Sequence, residues 1–282
     1  MYQVLAVALL LALLAWLARN LSTNLAARGI QSGWDFLAGP AGFDIGESLL
    51  AYQSSDPYWR AFAVGLLNTL RVALAAIVLA TVLGAAVGVA GFSRNALLRG
   101  LCRAYVEAFR NVPLLVQLLV WYMLLVEWLP EAADAWRWQG LLLSKGGLAL
   151  PFVAHDAQGW HWSVPRVEGF AVEGGLALSP EFLAVLLGLG LYTAAFIAEV
   201  VRAGLAAVPR GQIEAALSVG LSRAQALRRV QMPQALRVIV PPLTNQYLNL
   251  TKNSSLAVAV GYPELVSVAN TALNQTGRAV EC

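Results

Sequence analysis

The stretch VALAAIVLATVLGAAVGVAGF, Val72–Phe92, runs without a single charged side chain. An α-helix rises about 1.5 Å per residue, so roughly 20 residues cross a hydrocarbon layer about 30 Å thick. Such a segment is suited to a bilayer and constrains the fold more than any other feature of the chain. Four further stretches predict membrane helices: Val4–Ala18, Pro113–Leu129, Glu181–Leu205 and the more polar Val238–Tyr262. The last would fail a simple hydropathy cut. Val4–Ala18 lacks the basic start and small-residue cleavage site of a signal peptide and reads as a retained helix. A 59% hydrophobic, 12% charged composition agrees with an all-α membrane protein of five spans.

Arginine placement sets the expected orientation. SRNALLRGLCRAYVEAFRN, between the second and third spans, carries Arg94, Arg99, Arg103 and Arg110 against Glu107 alone. Between the fourth and fifth spans lie Arg210, Arg223, Arg228, Arg229 and Arg237 against Glu214. The remaining connections are richer in acids, so the positive-inside rule places the two arginine loops and the amino terminus in the cytoplasm. The outer segments, rich in Gly, Pro and Trp, read as loops or small caps. The organisation expected is an amino-terminal helix and outer loop over 1–59, then a membrane domain over 60–282. That domain has an outer insertion at 130–180 and a cytoplasmic loop at 206–236. A net charge of +3 therefore reports orientation and implies no nucleic-acid partner.

The cytoplasmic loop is patterned as two short helices. Pro209 suits a first turn, GQIEAALSV continues it, and Gly220 suits a left-handed cap. Ser222 and Gln225 form a capping-box pattern ahead of AQALRRVQM, which Pro233 is expected to stop. Glu214 places a charge beside the small Ala215 and Ala216, a face suited to close docking in a cleft. An amphipathic connector resting on headgroups would account for composition alone equally well.

The order Glu214-Ala215-Ala216, three residues, Gly220, nine residues, Val230, one residue, Met232, Pro233 resembles the EAA signature of permease subunits of bacterial ATP-binding-cassette importers. Val230 and Met232 stand where Ile and Leu are more usual, which keeps the apolar character. GLLNTLRVALAAIVLATVLG, YVEAFRNVPLLVQLLVWY and PQALRVIVPPLTNQYLNLTKNSSLAVAVGYPEL are similar to the polar amino acid subfamily. NLAARGIQSGWDFLAGPAGFDIG resembles a permease of general L-amino acid uptake systems. The likeness covers nearly the whole chain and is weakest over 130–180.

The resemblance implies a MetI-like, type I importer transmembrane domain in the bacterial inner membrane. Members continue past the NQTGRAVEC region into a further helix, so a sixth span is expected beyond this sequence. It also implies a cytoplasmic ATPase dimer docked on Glu214, Ala215, Ala216 and Gly220, with Pro233 ending the loop. A second permease subunit and an extracytoplasmic amino acid-binding protein complete the implied assembly. The chain has no Gly-Lys pair and hence no phosphate-binding loop of its own. No nucleophile triad or paired carboxylate stands out, so a transport subunit without cofactor or catalytic residue is expected.

Polar groups inside a bilayer are costly and tend to face a bundle interior or cavity. Glu199, Asn245 and Asn249 are therefore candidate translocation-path residues, with helix breaking at Pro241-Pro242 expected to expose backbone. Helix–helix hydrogen bonding is the plainer role for such groups. His155, Asp156 and His161 lack the spacing and fourth ligand of a metal site. Cys102 and Cys282 are not expected to pair. Rival functions are a gradient-driven carrier, which needs acidic ion sites in its spans, a permease for another small polar solute, and a membrane scaffold.

Overall fold

The computed structural model describes residues 2–27, 29, 33–93, 95–156, 159–169, 171–278 and 280–281, with backbone alone at 26, 155 and 156. It forms two compact units, Leu66–Glu264 and a smaller one made of Met1–Gly65 with Leu265–Cys282. Among the described residues three helices are long and apolar enough to cross a membrane: α1 (Tyr2–Ala27), α2 (Tyr58–Ala90) and α5 (Pro180–Ala206). Up to five spans result if each of two bent helix pairs counts as one.

The larger unit is built around α5. Ser179 caps it by accepting the Phe182 N–H at 3.0 Å, and Pro180 sits in its first turn. Of its most apolar window 61% is buried, against 33% for α2 and none for α1, which makes α5 the central helix of the described core. Helix α2 reaches it through glycines at GAAVG. A Cβ on Gly84 would lie 2.7 Å from the Ala194 carbonyl oxygen, and one on Gly88 2.7 Å from that of Ala198. Small residues four apart permit this close backbone approach.

The expected third span, Pro113–Leu129, follows an arginine segment that is itself helical. Helix α3 (Ala96–Asn111), capped by Asn95, buries no residue and meets α4 (Leu114–Met123) at 102°. A π turn, Leu124–Trp128, extends α4. Pro113 explains the corner, because proline disfavours helical backbone in the residue before it. Helix α4 packs on α5 where Gly188 admits Leu118; a Cβ there would lie 2.5 Å from the leucine Cδ2.

Two proline readings are corrected. Pro233 does not stop the second loop helix: α7 (Arg223–Ala226) passes through a π turn, Leu227–Gln231, directly into α8 (Met232–Asn253). The change of hydrogen-bond register leaves Pro233 in the first turn of α8, where a missing N–H costs little. Nor does Pro241-Pro242 break the helix, since both lie inside α8. The tightening comes later, in a 3₁₀ stretch over Ser254–Val260 that ends at Gly261, φ +80°.

The 130–180 insertion, expected as loops or small caps, holds strands. Strands β1 (Trp136–Trp138), β2 (Leu141–Ser144), β3 (Gly147–Leu150) and β8 (Leu176–Leu178) pair antiparallel in that order. Between them β4 (Phe152–Asp156) pairs with β5 (Gly159–Ser163), and β6 (Arg166–Glu168) with β7 (Ala171–Glu173). Leu148 and Leu178 seat this cap on the helical core.

In the smaller unit, Phe36, Ala41, Tyr58, Ala61, Val268 and Ala272 form the core beside α9 (Leu265–Thr276). Arg278, nearly buried, donates to both carboxylate oxygens of Asp35 at 2.9 Å. That guanidinium holds the Asp35 carboxyl below its ordinary value.

Candidate functional site

The loop between α5 and α8 has the local structure its residues dictate. Helix α6 (Arg210–Ser218) begins after Pro209. It closes with the Gly220 N–H donating to the Leu217 carbonyl at 3.0 Å and the Leu221 N–H to that of Ala216 at 3.2 Å. This is a Schellman cap, and it needs the left-handed backbone that Gly220 adopts at φ +86°. The capping box at the start of α7 forms as expected: Gln225 N–H to Ser222 Oγ at 3.3 Å, Ser222 N–H to Gln225 Oε1 at 2.8 Å.

The three EAA residues do not share a face. Glu214 and Ala215 are exposed, whereas Ala216 is buried within the chain's own fold. Gly220 is exposed, with open space around it. Sequence reasoning missed Gln231, which is buried and donates from Nε2 to the Leu205 carbonyl at 2.9 Å. Leu205 is in the last turn of α5, where carbonyls lack helical donors. Gln231 thus ties the arginine loop to the central span. A glutamine among arginines in an amphipathic stretch gave no signal of this.

The proposed path residues separate. Glu199 pairs with Arg202 on the same face of α5, accepting at 2.9 Å from Nε and also from Nη2. The pair lines a cavity of about 380 Å³ between α2, α3 and α5. Asn249 lines a different cavity of about 200 Å³ between α5 and α8, with Tyr192, Thr193, Phe196, Gln246 and Lys252. Asn245 lies one turn before Asn249 on exposed α8 surface and lines neither. Lys252 makes no ion pair with a described residue.

His161 lies on β5 opposite Ala154, and His155 opposite Trp160; the side chains of His155 and Asp156 fall outside the described residues. Among the described residues no three His, Cys, Asp or Glu side chains gather as metal ligands. Cys102 is a free thiol, and Cys282 lies outside the described residues.

Residues 80–279 match the family model described as "Binding-protein-dependent transport system inner membrane component". The chain belongs to this family. As a permease it is 43% identical to the putative amino-acid ABC transporter permease protein YhdX of Escherichia coli K12, over 100% of this chain and 86% of that one. It is 39% identical to the general L-amino acid transport system permease protein AapQ of Rhizobium johnstonii, over 99% and 84%. The glutamate/aspartate import permease protein GltJ of E. coli K12 is 35% identical over 79% and 75%.

Among solved structures, an amino acid ABC transporter crystallised with histidines is similar at a TM-score of 0.57 and 27% identity, over 79% of this permease and 83% of that chain. The MetNI methionine ABC transporter in an inward-facing form matches at 0.50 and 21%, over 77% and 88%, which shows the fold alone. The permease thus has the MetI-like importer fold, is a membrane protein, and serves as a transport subunit.

Proposed function

We propose that this permease carries L-amino acids into the cytoplasm, driven by a separate ATPase dimer that docks on α6. The observation that carries the coupling role is the tether. A short helix exposes Glu214 and Ala215, buries Ala216 behind them, and belongs to a loop whose Gln231, in the π turn before α8, donates to the end of α5. A push on the loop at α6 is passed to the central span through this bond and through the short 207–209 connection to α5. The relatives named above are described as permeases of amino acids, which supports the substrate class.

The solute path is assigned to the cleft of α5 and α8. There Lys252 offers a cation to a substrate carboxylate, Gln246 and Asn249 offer amide oxygens to an ammonium, and Phe196 offers an apolar wall. A second permease subunit closes the path, and an extracytoplasmic binding protein delivers solute. The arginine loops and amino terminus lie in the cytoplasm, and the 130–180 cap lies outside. Against a gradient-driven carrier stands the Glu199–Arg202 pair, because the acid nearest to an ion site within a span is already neutralised.

Glu214→Lys tests the coupling. The variant should insert in the membrane at wild-type level, lose the co-purifying ATPase, and lose ATP-driven uptake. Wild-type uptake by this variant would remove α6 as the docking element.

A further inference from the structure

The four-stranded sheet of the cap has an apolar face. Directly paired residues on antiparallel strands point to the same side of a sheet. Trp136 on β1, Leu143 on β2, Leu148 on β3 and Leu178 on β8 therefore form one row across it, with Trp138 and Leu141 paired beside the first two. Arg137, between the tryptophans, points the other way, because side chains alternate along a strand. That opposite face is closed at Leu142 and Ala149 by Val167 and Val172 of the β6–β7 hairpin.

The apolar face is covered along only part of its width. At β3 and β8 it sits on the helical core through Leu148 and Leu178, just before α5 begins at Pro180. Strand β1 lies two strand spacings further out, about 10 Å from β3. There the cover stops: Trp136 is 60% exposed and Trp138 68%. Because the row is one face of one sheet, the uncovered tryptophans look the same way as the leucines seated on the core, toward the helices and not away from them. Helix α4 leads into β1 through the Ala132–Asp134 turn and has an uncovered apolar surface of its own. Leu115, Val116 and Leu119 are exposed along it, and Trp128 is 80% exposed at the end of its π turn. A bilayer covers such a helix face, and tryptophans gather where its acyl chains give way to headgroups.

We propose that the β1–β2 end of the cap rests on the membrane surface, with Trp136 and Trp138 set among the phospholipid headgroups of the leaflet beside the helices. Tryptophan suits this zone because its ring is apolar and its one N–H finds a headgroup oxygen. A soluble protein would have to enter between cap and bilayer to reach the same face. The proposal rests on the membrane assignment alone and holds whichever leaflet the cap faces and whatever solute the permease carries.

The test is photocrosslinking of the full-length permease, assembled with its companion permease, ATPase and binding protein. The vesicles are of phosphatidylethanolamine and phosphatidylglycerol carrying radioactive phosphate. Benzoylphenylalanine replaces Trp136, Arg137 or Trp138 in turn, all three exposed, and Leu10 in the uncovered α1 as the reference for lipid contact. Light should attach radioactive lipid to the permease at positions 10, 136 and 138, and the label should be lost at position 137. Lipid at position 10 with none at 136 and 138 would overturn the proposal, since the cap would then stand clear of the bilayer. Crosslinks from 136 and 138 to the companion permease or the binding protein would overturn it in favour of that protein. Equal lipid labelling at 136, 137 and 138 would overturn the facing of the sheet. No lipid at position 10 would remove the membrane assignment and the proposal with it.

Discussion

Replacing Gly88 by alanine would set a methyl group 2.7 Å from the Ala198 carbonyl oxygen and 2.8 Å from the Val201 Cβ. At Gly84 the same change meets the Ala194 oxygen and the Ile197 Cβ, each at 2.7 Å. Carbon contacts settle at about 3.5–4.0 Å, so α2 and α5 must part by roughly 0.5–1 Å, a gap that forfeits a quarter to a half of the local dispersion energy. Overpacking of this kind costs about 1–3 kcal/mol at each site. One rigid separation relieves both clashes, so Gly84→Ala/Gly88→Ala should cost less than the sum of the single variants. Alanine also gains about 1 kcal/mol in helix propensity over glycine, which Gly100→Ala measures by itself because its Cβ meets nothing within 4 Å. Unfolding of the purified permease in mixed micelles should therefore show Gly100→Ala stabilised and each crossing variant about 1–3 kcal/mol below it. Equal shifts of all three single variants in the same direction would refute the α2–α5 crossing.

Two further outcomes follow from named contacts. Gln231→Leu leaves the Leu205 carbonyl without its side-chain donor and should cost about 1–3 kcal/mol. It should lower ATP-driven uptake while the ATPase still co-purifies, which separates transmission from docking. Asp35, held below its ordinary carboxyl value of 3.8 by Arg278, favours the native state above that pH. The contribution is fully present above 3.8 and is lost as pH falls through the lower native value, so an unfolding series across acid pH should slope downward there. Asp35→Asn should flatten that part of the slope; an unchanged slope would show that the Arg278 contact does not contribute.

Patterns contained within one turn of helix were the most legible in the sequence. The Ser222–Gln225 box depends on two side chains and two backbone N–H groups three residues apart, and it formed as expected. Gly220 was legible for the same reason, because few other residues take a left-handed backbone at low cost. The prolines misled because their effect depends on neighbours. At Pro233 a π turn just upstream shifts the register, and at Pro241-Pro242 the surrounding helix tolerates the missing donors. The eight strands among the described residues of the 130–180 cap are three to five residues long, too short for alternation to stand out from loop composition. At the site, the exposure of Glu214 was legible, while the inward turn of Ala216, expected to share a docking face with Ala215, and the Gln231–Leu205 bond are tertiary facts with no local signature. The pairing of Glu199 with Arg202 was within reach of the i, i+3 rule, whereas the separation of Glu199 and Asn249 into cavities on different sides of α5 is a tertiary fact.

The central claim is that this permease moves amino acids only when an ATPase drives it. The most direct measurement reconstitutes it in vesicles with its companion permease and ATPase, adds the binding protein outside, and follows labelled amino acids with and without ATP inside. Uptake of amino acids that requires both ATP and the binding protein is the predicted result. Uptake that persists without ATP and collapses with the ion gradient would contradict it and identify a gradient-driven carrier instead.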